Sequence, residues 1–349
     1  MTIDELKLLR LKHQHLLSPA DSLTVTRDLC GVQAQFLSSA LHALRIRTGG
    51  EETEGLVKSW TLRGTVHLFP EDDLPLYRRH CGTAADVSES GWFKWRFGRE
   101  NPCITKERDV YFAHAIVEGI REGCDTREGL RLRCREQGMT EAEERHVFDG
   151  WGGTFAELAE MGVICYKVQQ EKAYRLCTPF TPMEEQAAQI ELARRYFTHY
   201  GPATLRDAAY FFRASQAQVK AWLAELPAER FTLDGRDYFH IPQDDGELPG
   251  EKAPMALPDC LLLAGFDQLM LGYRKEDNPF LPPEHLRGIF NLAGIVMPGI
   301  LLHGRVVGRW KQKDGKASFT LFEKISAKDR RMILAAAEGL WTLKKVDWA

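Results

Sequence analysis

The chain has 349 residues, 44% hydrophobic and 27% charged, an ordinary globular composition with length for two or three domains. Its formal net charge of −3 argues against a body that coats a phosphate backbone wholesale, and leaves room for a local basic stripe. Eight scattered cysteines with no C-x-x-C pair exclude a disulfide scaffold and a cysteine-based zinc site, so reduced thiols in the cytoplasm are expected.

Ile3, Leu6, Leu9, Leu16 and Leu17 recur at helical spacing and predict a first helix. The acidic opening, Met1 to Glu5, is read as neither a signal nor a transit peptide. His13 and His15 are close in sequence, but no cysteine pair completes a site, and no metal is expected. After the Ser18-Pro19 break come predicted helices over residues 23–32 and 37–47, with Gln33-Ala34-Gln35 between them and Gly49-Gly50 as the stop. Residues 59–69 read as two short strands around Gly64, and Pro70-Glu71-Asp72-Asp73 opens the next helix. Three helices and a hairpin make the plan of a winged helix.

The order repeats. Residues 126–137, capped by Thr126, a short segment starting at Thr140 with Glu141, Glu143 and Glu144 in its first turn, and residues 148–161 predict helices, followed by strands over 163–168 and 173–177. A third copy runs from a helix over 190–200, through helices 204–212 and 216–226, to a hairpin around Asp234-Gly235. Residues 244–258 are acidic and rich in Gly and Pro, and predict a linker or surface loop. Strands over 261–266, 299–303, 305–311 and 318–322, with turns at Gly304 and Asp314-Gly315, and a tail helix over 327–340 close the chain. The longest apolar stretch, 288–302, is interrupted by Asn291 and Pro298 and is not expected to span a membrane. The division this predicts is 1–120, 121–185 and 186–245 as winged-helix units and 255–349 as a β-rich unit with a terminal helix. The class is α+β, predominantly helical.

Four segments carry chemistry. Gln33 and Gln35 are either two surface glutamines or a pair of amides aimed one way, which an extended or irregular backbone permits and a regular helix does not. Arg63, Thr65 and His67 form a strand-like segment, read as a phosphate and pocket contact or as a brace with a hydrogen-bonded core histidine. Asp267 is read as a pocket carboxylate or as the partner of an arginine such as Arg274. Arg305, Arg309 and Lys311, interleaved with Trp310 and followed by Lys313 and Lys316, suit a phosphate backbone or a charged strand edge. Trp92, Phe93, Trp95 and Phe97, alternating with Lys94 and Arg96, suit base stacking or packing.

Residues 31–35, 60–68, 266–274 and 304–310 together resemble the AlkZ-like winged-helix DNA glycosylases, over about residues 1 to 320. The resemblance implies tandem winged helices in a C-shaped body with a concave DNA-facing channel. It implies a Gln-x-Gln catalytic motif at Gln33 and Gln35, and double-stranded DNA bearing N-alkylated purines as substrate. It further implies that no metal or other cofactor is required, and no obligatory protein partner is indicated. A cationic alkylated base is already a good leaving group, so the enzyme's task is to seat a water beside the sugar and stabilise an oxocarbenium-like state. A glutamine amide accepts and donates but is no general base. The competing reading is a non-catalytic winged-helix regulator or DNA-protection factor, which the helix at 216–226, with Lys220 beside Glu225, supports poorly.

Overall fold

A computed structural model describes residues 1–98, 103–243 and 256–349, so most of the predicted 244–258 linker lies outside the described residues. The fold is α+β and divides into two compact units, Met1–Glu52 with Gln189–Ala349, and Thr53–Ala188. The boundary after Glu52 falls between the third helix and the first hairpin.

The first unit is assembled from both ends of the chain. Helix Ile3–His13 begins in a capping box between Thr2 and Glu5. Its Arg10 is buried, donates to the Pro202 carbonyl at 2.7 and 2.8 Å, and lies 3.8 Å over the Tyr273 ring. The predicted helix over 23–32 is shorter, Ser22–Asp28, because Cys30 (φ 53°) and Gly31 (φ 86°) turn left-handed and end it. Helix Leu37–Thr48 follows and stops at Gly49.

The later part of this unit opens with helix Glu185–His199, most of which belongs here, then Leu205–Phe212 and Gln216–Ala224. Thr204 with Asp207, and Ser215 with Gln218, supply capping boxes. The hairpin Glu229–Leu233 and Arg236–His240 comes next. Beyond the undescribed segment, a five-stranded sheet is built from Cys260–Leu262, Gly299–Leu302, Arg305–Lys313, Lys316–Leu321 and Lys345–Trp348, in that spatial order. The last strand is not among the expected ones; it runs parallel to Lys316–Leu321. Helix Ala327–Leu340 lays Ile333 and Ala337 on one face of the sheet, against Phe319, Val307 and Ile300.

In the second unit the two predicted hairpins join. Strands Val66–Pro70, Leu56–Trp60, Ile164–Tyr166 and Tyr174–Leu176 are hydrogen-bonded in that order. Helix Lys106–Arg121 buries Phe112, Ile116 and Ile120 against Leu130 of helix Arg127–Glu136 and against Phe155. The predicted helix over 148–161 begins late, at Thr154–Glu160. Gly153 takes φ 60° there, and a Cβ on it would sit 2.2 Å from the Val147 carbonyl oxygen, so the chain must bend before the helix starts. Trp92, Phe93, Trp95 and Phe97 fall on helix Gly91–Phe97. Phe93 and Phe97 pack with tilted rings, centroids 4.3 Å apart, and join the core, while Trp95 stays half exposed. No described helix is long and apolar enough to cross a membrane.

Candidate active site

The Gln33-Ala34-Gln35 segment is not helical. It leaves the left-handed Cys30-Gly31 turn as extended backbone at Val32–Gln33, bends at Gln35 and Phe36, and enters helix Leu37–Thr48. Val32 and Ala34 are buried, Gln33 is 6% exposed, and Gln35 is exposed. Neither amide has a hydrogen-bond partner among the described residues, so both heads keep their donors and acceptors.

The segment is held from both sides. Upstream, the Tyr200 hydroxyl donates to the Leu29 carbonyl at 2.8 Å. Downstream, Phe36 is 48% exposed and stacks on Phe266 with centroids 5.7 Å apart. The helix after it is pinned at two points. His42 is buried with Nε2 2.7 Å from the Leu262 carbonyl, packed against the mutually contacting rings of Trp310 and Trp341, and burial depresses its pKa. Arg47 meets Asp267 in a fork, 2.7 and 3.0 Å, with both side chains fully buried.

Asp267 is thus the partner of an arginine, as the second of the two sequence readings has it, but of Arg47 rather than Arg274. Its oxygens accept from Arg47 and from the backbone N–H groups of Leu269 (2.9 Å) and Ala264 (3.3 Å), which leaves nothing to face a substrate. Burial alone would raise its pKa, yet Arg47 and these donors hold it below the ordinary value. Arg274 is ion-paired with Glu276 and Asp277, and its backbone N–H donates to Asp207.

On strand Arg305–Lys313 the side chains alternate. Trp310 points into the core, donating to the Leu263 carbonyl at 2.8 Å, so it is not available for stacking on a base. Arg309, Lys311 and Lys313 lie on the other face. In register beside them are Thr320, Ser318 and Lys316, and beyond those Asp347 and Lys345. None of Arg309, Lys311 and Lys313 has a carboxylate partner among the described residues. Arg305 is already neutralised by Glu284 (3.1 Å) and Glu323 (2.9 Å).

Arg63, Thr65 and His67 belong to the second unit. Arg63 sits at φ 60° in the turn Leu62–Gly64, which links strands Leu56–Trp60 and Val66–Pro70. Thr65 donates its hydroxyl to the Leu62 carbonyl at 3.2 Å. His67 is 1% exposed, with Nδ1 3.0 Å from the Thr65 carbonyl and 2.7 Å from the Thr61 hydroxyl. A carbonyl only accepts, so Nδ1 carries the proton. Burial first, then Arg63, pushes this ring's pKa down to about 3, and it stays neutral at physiological pH. The features that sequence reading missed are Phe36, its partner Phe266 and the identity of Arg47 as the arginine of Asp267; the aromatic next to Gln35 was the one local signal.

A family model described as DNA glycosylase AlkZ-like matches residues 26–343. The chain is similar to the interstrand DNA cross-link repair glycosylase of Streptomyces sahachiroi, 28% identical over 329 residues, 87% of this chain and 85% of that protein. Its structure is similar to that of Streptomyces sahachiroi DNA glycosylase AlkZ, with a TM-score of 0.75 at 23% identity, covering 100% of this chain and 99% of that one.

Proposed function

This chain belongs to the AlkZ-like DNA glycosylase family and is a DNA N-glycosylase, and from that premise we propose that it releases alkylated, cationic purines from double-stranded DNA, with Gln33 and Gln35 positioning the attacking water. The observation that supports this most is the state of the two amides. They stand two residues apart on non-helical backbone, between a turn and a pinned helix, with no hydrogen-bond partner among the described residues. One carbonyl accepts from the water while the other dipole faces the charge growing on the sugar. The glycosidic C1′–N bond breaks, the water oxygen bonds to C1′, and the base leaves with the electron pair that neutralises it. The water's proton goes to solvent, since an amide does not hold it at neutral pH.

The relative from Streptomyces sahachiroi is named for cross-link repair, and we extend the reading to bulky adducts and crosslinked bases. The helix–helix–hairpin segments serve, in this reading, as winged-helix units that hold duplex DNA, in a cytoplasmic enzyme. Arg309 and Lys311 supply phosphate contacts. The non-catalytic alternative falls with membership of the family.

The test is base release from a duplex methylated at guanine N7, scored as abasic sites cleaved by heat and alkali. Gln33→Ala and Gln35→Ala are each expected to lower the single-turnover rate by about 10²-fold, the scale of removing one preorganised polar group from a transition state. Full activity in both variants ends the water-positioning role.

A further inference from the structure

In the second unit three side chains stand in register across neighbouring strands: Lys58, Tyr166 and Tyr174. They therefore share one face of the sheet. Lys58 Nζ lies 5.1 Å from the centre of the Tyr166 ring, and Trp60, two positions on from Lys58, packs on the same ring with centroids 5.2 Å apart. Arg127 meets the end of this row. Its Nη1 donates to the Tyr174 hydroxyl and its Nη2 to the Asp149 carbonyl, both at 2.8 Å, while the guanidinium lies 4.7 Å over Phe155. The Arg127 backbone N–H donates to the Lys172 carbonyl at 2.9 Å, which brings the turn bearing Lys172 to the same edge.

No acid offsets these cations. Among the described residues none of Lys58, Arg127 and Lys172 has a carboxylate partner. Asp125 is taken by Lys167, and Asp149 Oδ1 accepts from the Trp151 backbone N–H at 2.8 Å. Like charges are gathered instead. Desolvation first, then Lys172, lowers the Lys58 pKa; desolvation first, then Arg127, lowers that of Lys172. An anion seated among them removes that repulsion. Beside the cluster, Trp151 is 81% exposed on the loop over 149–153. The loop is packed against the sheet: Gly152 takes φ 139°, and a Cβ on it would sit 3.1 Å from Trp60 Cζ2 and 2.7 Å from the Ala156 Cβ. The indole is thus held out into solvent by backbone that rests on the ring next to Lys58. A large apolar ring kept in water beside unpaired cations marks a contact surface.

We propose that Lys58, Arg127 and Lys172 bind a backbone phosphate of DNA and that Trp151 stacks on an unpaired base of the same strand. Charge complementarity selects the phosphodiester. The indole selects an unpaired nucleotide, because a base inside a duplex offers only its edges, and its ring face is free only where the stack is opened. The contact lies wholly within Thr53–Ala188, which carries none of the glutamine segment. It therefore goes beyond the water-positioning reading and is decided by binding, not by base release. Its effect is to give the second unit a grip on opened strands.

The test uses the full chain and undamaged probes, read by fluorescence anisotropy across a salt series. A labelled single strand of about 12 nucleotides is compared with an abasic phosphodiester of the same length. Lys58→Gln with Lys172→Gln should weaken binding to both and lower the salt slope of log K by about 0.7 for each phosphate released. Trp151→Ala should weaken binding to the base-bearing strand by about tenfold and leave the abasic one unchanged, and Trp151→Phe should restore most of the loss. Trp151 and Lys172 are exposed, so their single variants leave the core intact. Because the probes carry no lesion, these readings do not depend on whether Gln33 and Gln35 position water. An unchanged slope in the lysine variant, equal loss on both probes in Trp151→Ala, or displacement of the strand by polyglutamate of matched charge as readily as by DNA would overturn the proposal.

Discussion

Glu157 is a carboxyl group with no exposure, set against the buried Asp109 and an ion pair to Arg96. Thr154 donates to one Asp109 oxygen, and the remaining oxygens, Asp109 Oδ2 and Glu157 Oε2, are satisfied only if one proton lies between the two acids. Burial first, and Asp109 second, push the Glu157 pKa up to about 9. His146, beside Arg96, is driven the other way by burial, to about 4, and stays uncharged. A folded-state pKa above the unfolded value means that the stability contribution is whole below the unfolded pKa. It is lost as pH rises towards 9, because the unfolded chain releases the proton first. Glu157→Gln donates permanently to Asp109, so its melting temperature should vary less between pH 5 and 9 than that of the wild type. Thermal melts by circular dichroism read this out, and parallel wild-type and variant profiles would contradict it. Neither acid is visible in the sequence as half of a pair: they lie on different helices, and nothing local distinguishes a buried glutamate from a solvated one.

At the level of elements, strand Arg305–Lys313 separates its charges by pairing. Arg309, Lys311 and Lys313 carry net positive charge outward, whereas Arg305 is spent on Glu284 and Glu323. If the outer face meets phosphate, Arg309→Gln with Lys311→Gln should weaken binding to any duplex sequence and reduce the salt slope of log K by about 0.9 for each phosphate no longer neutralised. Arg305→Gln should leave that slope nearly unchanged; fluorescence anisotropy across a salt series distinguishes the two, and equal slopes in all variants would remove the strand from the interface. Local chemistry makes much of this level legible. Thr126 and Ser215 announce their helices because a hydroxyl before an unpaired N–H is a short-range event. Asp314 (φ 52°) and Gly315 (φ 79°) set a two-residue turn for the same reason. The helix predicted over 23–32 is too long because Cys30 is an unusual host for a left-handed backbone, and only tertiary packing decides that.

At the scale of the molecule, sequence order misleads about the first unit. A β-rich C-terminal part from residue 255 reads as self-contained, yet His42 reaches Leu262 and packs on Trp310 and Trp341, and Arg47 neutralises Asp267. Such pairings carry no local signature. A fragment of residues 189–349 would leave Asp267 buried without its counter-charge, a loss on the order of 3–5 kcal/mol, besides the vacated packing of the first three helices. It should therefore show no cooperative melt by circular dichroism alone, and should gain one when residues 1–52 are supplied in trans. A sharp melt of the isolated fragment would contradict this.

The Arg47–Asp267 fork also sets a clock for synthesis. The partners are 220 positions apart, so at ribosomal speeds of about 5–20 residues per second Arg47 waits roughly 10 to 45 seconds for its acid to emerge. During that interval the nascent N-terminal helices expose the apolar faces they later bury, while Thr53–Ala188 can already close on its own core.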